Sequence, residues 1–353
     1  MGIKAEPHSN QYGFSILEAF LIFLVLGVLV AAGMFVWRRS NQAGDVGQQN
    51  TQTATFESGI YYRLPKTDSP EATLSKIGSK VPFSITMSPV DFDILRDKAV
   101  YAQDTNLVVV MPNGSEQKST IPGIYQMARP TLSPDGTKVA VQATATQHPE
   151  GQAADFRELG IYVVDLNTKA ARLISKVDPT GGNEAPEWFH TSNKIAYSSF
   201  SPTNGIDLHI YNLDSGKEES VISSGGELHV SVSKDDKFIL NSINMQIFDT
   251  ASGQLVRNLK AQVITGLKAA GYQPDSQYDG HDHRGSFPLD GDFSPDGAQI
   301  VFDGAVVKDG QRGIIICTIN QDGSGFKVVR KLLPVNPDFS NNNNFSQINP
   351  IWL

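Results

Sequence analysis

An all-β chain of repeated four-stranded units, carried behind one apolar helix, is the fold class this sequence predicts. Three observations carry that prediction. Turn signals of Gly, Pro, Asn and Asp recur at short intervals over the last ~300 residues, with β-branched and aromatic runs between them. Within that region the segment Pro130-Thr-Leu-Ser-Pro-Asp-Gly-Thr-Lys-Val-Ala-Val141 recurs as Gly291-Asp-Phe-Ser-Pro-Asp-Gly-Ala-Gln-Ile-Val-Phe302. Near the N-terminus, Ala19 to Trp37 is a run of 19 residues without a charge, a polar group or a proline.

The apolar run comes first in the chain and sets where the rest works. Its length is close to the ~20 residues that cross ~30 Å of hydrocarbon as a helix. The chain as a whole has a mean hydropathy below zero and a net charge of -8, so one helix carries a large polar body. Glu18 lies at the edge of the run, four residues after Phe14. A carboxylate there is costly in lipid unless a partner neutralises it.

Gly13-Phe14-Ser15-Ile16-Leu17-Glu18, between a short polar leader and the apolar run, resembles the type IV pilin signal. That resemblance implies cleavage after Gly13 by a prepilin peptidase, N-methylation of Phe14, and a role for Glu18 as the fifth mature residue. A buried carboxylate neutralised by the terminal ammonium of a neighbouring subunit rewards assembly, so pilin-like filament subunits are expected partners. It further implies a single-pass membrane protein with its body outside the cytoplasm, at the cell surface or in the periplasm. Lys4 is the only basic residue of the leader, whereas Arg38 and Arg39 follow the helix. Counted alone, those charges place the body in the cytoplasm. An ordinary single-pass anchor is the plainer alternative, as is a signal cleaved near Val30-Ala31-Ala32.

The boundaries that follow are a leader at 1–13, a transmembrane helix at 14–39, a linker at 40–53 rich in Gln, Asn, Gly and Thr, and an all-β body at 54–353. Weaker copies of the repeat occur at Pro186 to Tyr197 and at Val230 to Leu240. Each is followed by a second apolar strand: Gly160 to Leu166, Leu208 to Leu213, Met245 to Thr250 and Ile314 to Ile319, with an earlier copy at Asn106 to Met111. Four strands per unit of roughly 40 to 60 residues describe a β-propeller blade.

Residues 347–353 match the opening of a blade, with Pro350 and Trp352 standing where Pro186 and Trp188 stand. The missing strands are expected at about 54–78, so that the C-terminal strand completes a shared blade and removes the open edge. With blades at about 81–119, 126–176, 183–223, 227–260 and 290–333, the expected count is six, with five as the alternative. These repeats resemble those of TolB-type propellers, and the resemblance implies a ring that binds proteins or peptides and implies no reaction.

The chemistry-bearing residues are few. Asp135-Gly136 and Asp296-Gly297 fit hairpin turns in which both central positions favour positive φ. An insertion at 261–289 holds Tyr278-Asp-Gly-His-Asp-His-Arg-Gly285, where Asp279, His281 and His283 share one side of an extended segment. Zinc or another divalent metal is the cofactor such a set could take, and a polar contact loop is the plainer reading. Long insertions project from one propeller face, so 261–289 is also the expected binding surface. His148, His190, His209 and His229 fall on different blades and read as strand or turn residues.

Several classes are excluded or weakened. The chain lacks a Gly-x-Ser-x-Gly elbow and a phosphate loop ending in Lys-Ser or Lys-Thr. Its pI near 5.4 argues against nucleic acid as a partner. Cys317 is the single cysteine, so no internal disulfide forms. The expected function is therefore a membrane-anchored or filament-associated surface protein, minor-pilin-like, displaying a propeller for protein or ligand binding. The alternatives are an extracytoplasmic metal-dependent hydrolase using the 279–283 loop and a plain membrane-tethered scaffold.

Overall fold

The computed structural model describes residues 55–65, 72–79, 81, 86–87, 91–175, 181–201, 205–223, 229–275, 287–332 and 348–353. The leader, the apolar run and the linker lie outside these residues, and with them Gly13, Phe14 and Glu18. Among the described residues no helix is long and apolar enough to cross a membrane.

Residues 54–353 form one compact unit. The described residues give six antiparallel sheets; in five of them four strands follow chain order outward from a common axis, with Gln273–Pro274 added to one, and in the sixth the C-terminal strand comes first. Blade one runs from Phe92–Ile94 to Glu116–Thr120, blade two from Tyr125–Leu132 to Ala171–Leu173, and blade three from Gly182–Trp188 to Lys217–Ser223. Blade four runs from Val230–Val232 to Leu255–Asn258, and blade five from Gly291–Phe293 to Lys327–Leu332.

Blade six joins the two ends of the propeller. The C-terminal strand Ile351–Trp352 pairs with Ile60–Pro65 in the register Ile60 to Trp352 and Tyr61 to Ile351. Leu353 and Gly59 exchange two further backbone hydrogen bonds at 3.0 Å. The outermost strand, Thr86–Met87, pairs with Ala72 and Thr73. It thus belongs to the closing blade rather than to the one expected to begin at 81. Six blades are the observed number, and the all-β propeller is the observed class.

The core is divided as a ring of sheets requires, with an apolar cluster between each blade and the next. Phe92, Tyr101 and Val108 of blade one meet Tyr61 and Leu74 of blade six. Val301, Ile314 and Ile316 of blade five meet Ile60, Tyr62 and Ile348 on the other side of the closure. Trp188 and Tyr197 are 2 % exposed in the cluster between blades two and three, and Phe248 lies between three and four. Side chains alternate across each strand, so both faces of an inner blade are apolar and the edges toward the axis are free to be polar.

The insertion departs from its expectation in its first half. Lys260–Ala269 is an α-helix whose Val263 and Leu267 enter the cluster between blades four and five. Gly266 lets the helix come this close, since a Cβ there would stand 2.3 Å from Phe326 Cγ. This part is core, not a projecting loop. Residues 276–286 lie outside the described residues, and with them Asp279, His281 and His283.

The Asp-Gly turns also differ from the expected hairpin. Gly136 and Gly297 have φ of 64° and 70°, while Asp135 and Asp296 are not left-handed. The aspartate instead accepts from its own turn. Ser133 Oγ donates to Asp135 Oδ1 at 2.6 Å and the Thr137 amide donates to it at 3.0 Å. Ser294, Asp296 and Ala298 repeat the arrangement at 2.6 and 3.0 Å. A side chain that folds back on its own turn supplies what a second positive φ would otherwise provide.

Candidate functional site: an axial channel

The inner strands of all six blades run in the same direction along the axis, so equivalent residues form storeys. Two such storeys are polar. The first takes Asp91, Arg129, Ala185, His229, Asp290 and Asn349, and the second takes the residues two positions on: Asp93, Thr131, Glu187, Ser231, Asp292 and Ile351. All twelve line one cavity of about 110 Å³. Five of them are carboxylates, against the cations Arg129 and Lys234 in the same wall, so the channel is acidic.

The first storey is cross-braced. Arg129, Ala185 and Asn349, each just before a proline, hold φ of 49°, 51° and 45°, and the pairing register shifts at Arg129 and Ala185. Bulges of this kind re-aim a side chain. Arg129 reaches past the small Ala185 so that its Nη2 lies 3.1 Å from His229 Nε2, joining blades two and four. Its guanidinium also lies 3.8 Å from Asp91 and 3.8 Å from Glu184.

His229 Nδ1 bonds Asp290 Oδ1. Since Arg129 can only donate, His229 accepts at Nε2 and carries its proton on Nδ1 toward Asp290. Burial works against the Arg129 charge, but Glu184, Asp91 and Asp290 outweigh it and raise its pKa. Burial likewise opposes ionisation of Asp290, and His229, Arg129 and Arg63 outweigh it and lower its pKa.

In the second storey carboxylates stand on alternate blades, with the hydroxyls of Thr131 and Ser231 in two of the intervening positions and Ile351 in the third. Thr131 Oγ1 lies 3.3 Å from both Asp93 Oδ2 and Glu187 Oε2. Ser231 Oγ donates to Asp292 Oδ1 at 2.6 Å. Asp93 also accepts from the amides of Ile94 at 2.7 Å and Leu132 at 2.6 Å, and Asp292 accepts from the Trp352 amide at 2.9 Å. Glu187 is the least satisfied of the three. Burial and then the charges of Asp93 and Asp292 push its pKa well above the carboxylate range, against Lys234 and Thr131. Asp93 is raised by burial in the same way, with its amide donors and Lys234 opposing.

The mouth beyond this storey is formed by the turns that leave the inner strands. Leu95, Pro134, Trp188, His190 and Lys234 line it. Trp188 is fixed by its indole N–H on Thr131 O at 3.0 Å. His190 is held neutral, its pKa lowered to about 4 by burial and then by Lys234.

The expected site residues and this channel do not coincide. His190 and His229, read from the sequence as ordinary strand or turn residues, are both channel residues, while His148 and His209 pair with Glu158 and Glu218 at 2.7 and 2.6 Å away from it. The signal for the channel was present in the repeat itself, at the position before and the position after the Pro, Val or Gly that opens each copy. Among the described residues no group of three or more His, Cys, Asp or Glu is placed to hold a metal ion.

No protein-family model matches the chain, and no curated protein matches it. In structure it is similar to a TolB-like protein of Agrobacterium tumefaciens, with a TM-score of 0.51 and 14 % identity over 79 % of this chain and 91 % of that one. TolB of Acinetobacter baumannii aligns with a TM-score of 0.45 and 15 % identity, over 80 % of this chain and 54 % of that one. An oligogalacturonate lyase in complex with manganese aligns with a TM-score of 0.41 and 12 % identity, over 71 % and 73 %. At these identities the likeness concerns the fold. With the sheet order and the closing strand, the first of them shows that the domain has a six-bladed β-propeller fold similar to that of the TolB-like protein.

Proposed function

We propose that this protein is a membrane-anchored or filament-associated surface protein whose TolB-like propeller binds a protein or peptide at the axial channel. The observation that carries the reading is the state of the channel's strongest chemical pair. Both ring nitrogens of His229 are engaged, by Asp290 and by Arg129. A histidine poised as a general base presents a free nitrogen to its nucleophile. Here the imidazole braces the wall of an acidic recess, which favours recognition over turnover.

The anchoring half of the proposal rests on the pilin-like segment from Gly13 to Glu18 and the apolar run behind it. The test uses the full chain in its native membranes, with a photo-crosslinking residue at Asp97, on the turn that leaves the inner strand of blade one. We expect an N-terminal peptide beginning at Phe14, and a discrete crosslinked polypeptide whose yield falls in Asp292→Asn. An intact Met1 together with crosslinks indifferent to Asp292 would overturn the proposal.

A further inference from the structure

We propose that the second storey of the channel receives one cationic side-chain tip, an alkylammonium or a guanidinium on an extended peptide, between Asp93, Glu187 and Asp292. The inference rests on the peptide-binding reading above and assigns the chemistry of its ligand. Four observations lead to it.

Three carboxylates on alternate blades surround one axis, and their hydroxyl neighbours Thr131 and Ser231 are already spent on them. Asp290 lines the same cavity at 6 % exposure, and its Oδ2 has no hydrogen-bond partner among the described residues. A buried acceptor left open in this way is costly, and it adds negative charge beside the ring that a cation there would offset.

Size and spread then choose between cations. The carboxylates do not converge closely enough to hold a bare metal ion among the described residues, so the ring suits a polyatomic cation. The cavity, at about 110 Å³, admits a side-chain tip and excludes a folded element. Its mouth supplies the remaining match, because Leu95 and Pro134 line it beyond the acidic ring. Lysine and arginine present an apolar stem below a charged head, the same sequence of chemistry in reverse.

Lys234 is the resident competitor. It lies in the mouth wall, and its charge acts on Asp93, Glu187 and His190. A ligand cation shares the ring with it or displaces it. Glu187 faces Asp93 and Asp292 from inner strands two blades away on either side, Lys234 and His190 at the mouth, and Asp91, Arg129, His229 and Asp290 from the first storey. A bound cation favours the ionised form of Glu187, so protons and ligand compete for it.

The test is calorimetric titration of the full-length protein in detergent micelles with Nα-acetyl-lysine methylamide, the arginine equivalent and the norleucine equivalent. We expect saturable 1:1 binding of the two cationic probes and none of norleucine, with affinity rising as pH is raised through the Glu187 titration. Glu187→Gln removes that pH dependence and weakens binding about tenfold, a loss of about 1.4 kcal/mol. Lys234→Met, a change at the rim that leaves the ring intact, tightens binding by roughly threefold to tenfold by removing a like charge. Equal binding of norleucine, stoichiometric binding of calcium alone, or a Lys234→Met protein with unchanged affinity would each overturn the inference. Channel-dependent crosslinks without probe binding would sink this ligand assignment and leave the peptide-binding reading standing. Probe binding without any crosslinked partner would do the reverse.

Discussion

Asp135 and Asp296 show how one side chain can make a turn and also make it sensitive to acid. The Ser133 hydroxyl, the Thr137 amide and the Thr137 hydroxyl hold the Asp135 pKa down to about 2, with burial opposing and Lys138 assisting. Ser294 and the Ala298 amide lower Asp296 in the same way. An aspartate in an unfolded chain titrates near ~3.9. The folded values lie below that, so the stabilisation is complete above the unfolded pKa and is lost as pH falls toward the folded one. Asp135→Asn and Asp296→Asn are therefore expected to lower stability at pH 7, and with it the melting temperature, by less than about 1 kcal/mol of unfolding free energy each because the carboxylates are exposed and screened. As pH falls toward ~2 the difference from the unaltered protein shrinks, since Asp135 is then about half protonated in the folded chain and Asp296 moves in the same direction. Melting curves at the two pH values decide it, and a deficit undiminished in acid would disprove the account.

At the scale of elements, the inner turn of blade four departs from its siblings in a way that joins two blades. Asp236 stands where Gly136 and Gly297 stand and takes the same left-handed backbone, at φ 59°. A non-glycine residue there costs on the order of 1 kcal/mol. In return its carboxylate accepts from the amides of His190 and Thr191, at 2.6 and 3.0 Å, and from the hydroxyls of Thr191 and Ser192, at 2.6 and 2.9 Å. These bonds fasten blade four to the turn of blade three and set His190 and Lys234 beside each other at the mouth. Asp236→Gly relieves the backbone and removes the clasp. We expect a net loss of roughly 1 to 3 kcal/mol, the range for losing charge-assisted hydrogen bonds. Asp236→Asn is expected to lose less, because asparagine tolerates the conformation and keeps an acceptor. Denaturant unfolding measures both, and a glycine variant more stable than the parent would refute the clasp.

At the scale of the whole molecule, the ring depends on a very short strand. Ile351–Trp352 contributes two paired residues to blade six. Beside its bonds within blade six, it is held by blade five through two carboxylates: Asp292 accepts from the Trp352 amide at 2.9 Å and Asp303 from the Ile348 amide at 3.3 Å. Asp303 is fully buried, and burial followed by the Asp290 charge pushes its pKa well above the carboxylate range. Ending the chain at Gln347 would strip both acceptors of these donors and open Ile60 and Tyr61 as a sheet edge. We expect a loss of roughly 2 to 6 kcal/mol, from two unsatisfied polar groups at ~1 to 3 kcal/mol each. Association through the exposed edge should follow, visible as larger species in size-exclusion chromatography. A truncated chain that melts like the parent and stays the same size would remove closure from the account of stability.

The sequence by itself determined the blades, because a blade is a local object. Alternating apolar strands between Asp, Gly and Asn turns recur whenever four strands pack between two neighbours, and Pro350 with Trp352 marked the C-terminal strand as an inner one. It did not reveal that helix Lys260–Ala269 is core, since that depends on Gly266 meeting Phe326, a neighbour distant in the chain. Nor did it reveal the channel. Each copy of the repeat carries a different residue at the axial position, Asp93, Thr131, Glu187, Ser231, Asp292 or Ile351, and none is remarkable alone. Only the closed ring brings six such positions to one axis and turns isolated polar side chains into an acidic recess. Repetition is written along the chain, whereas convergence exists only across it.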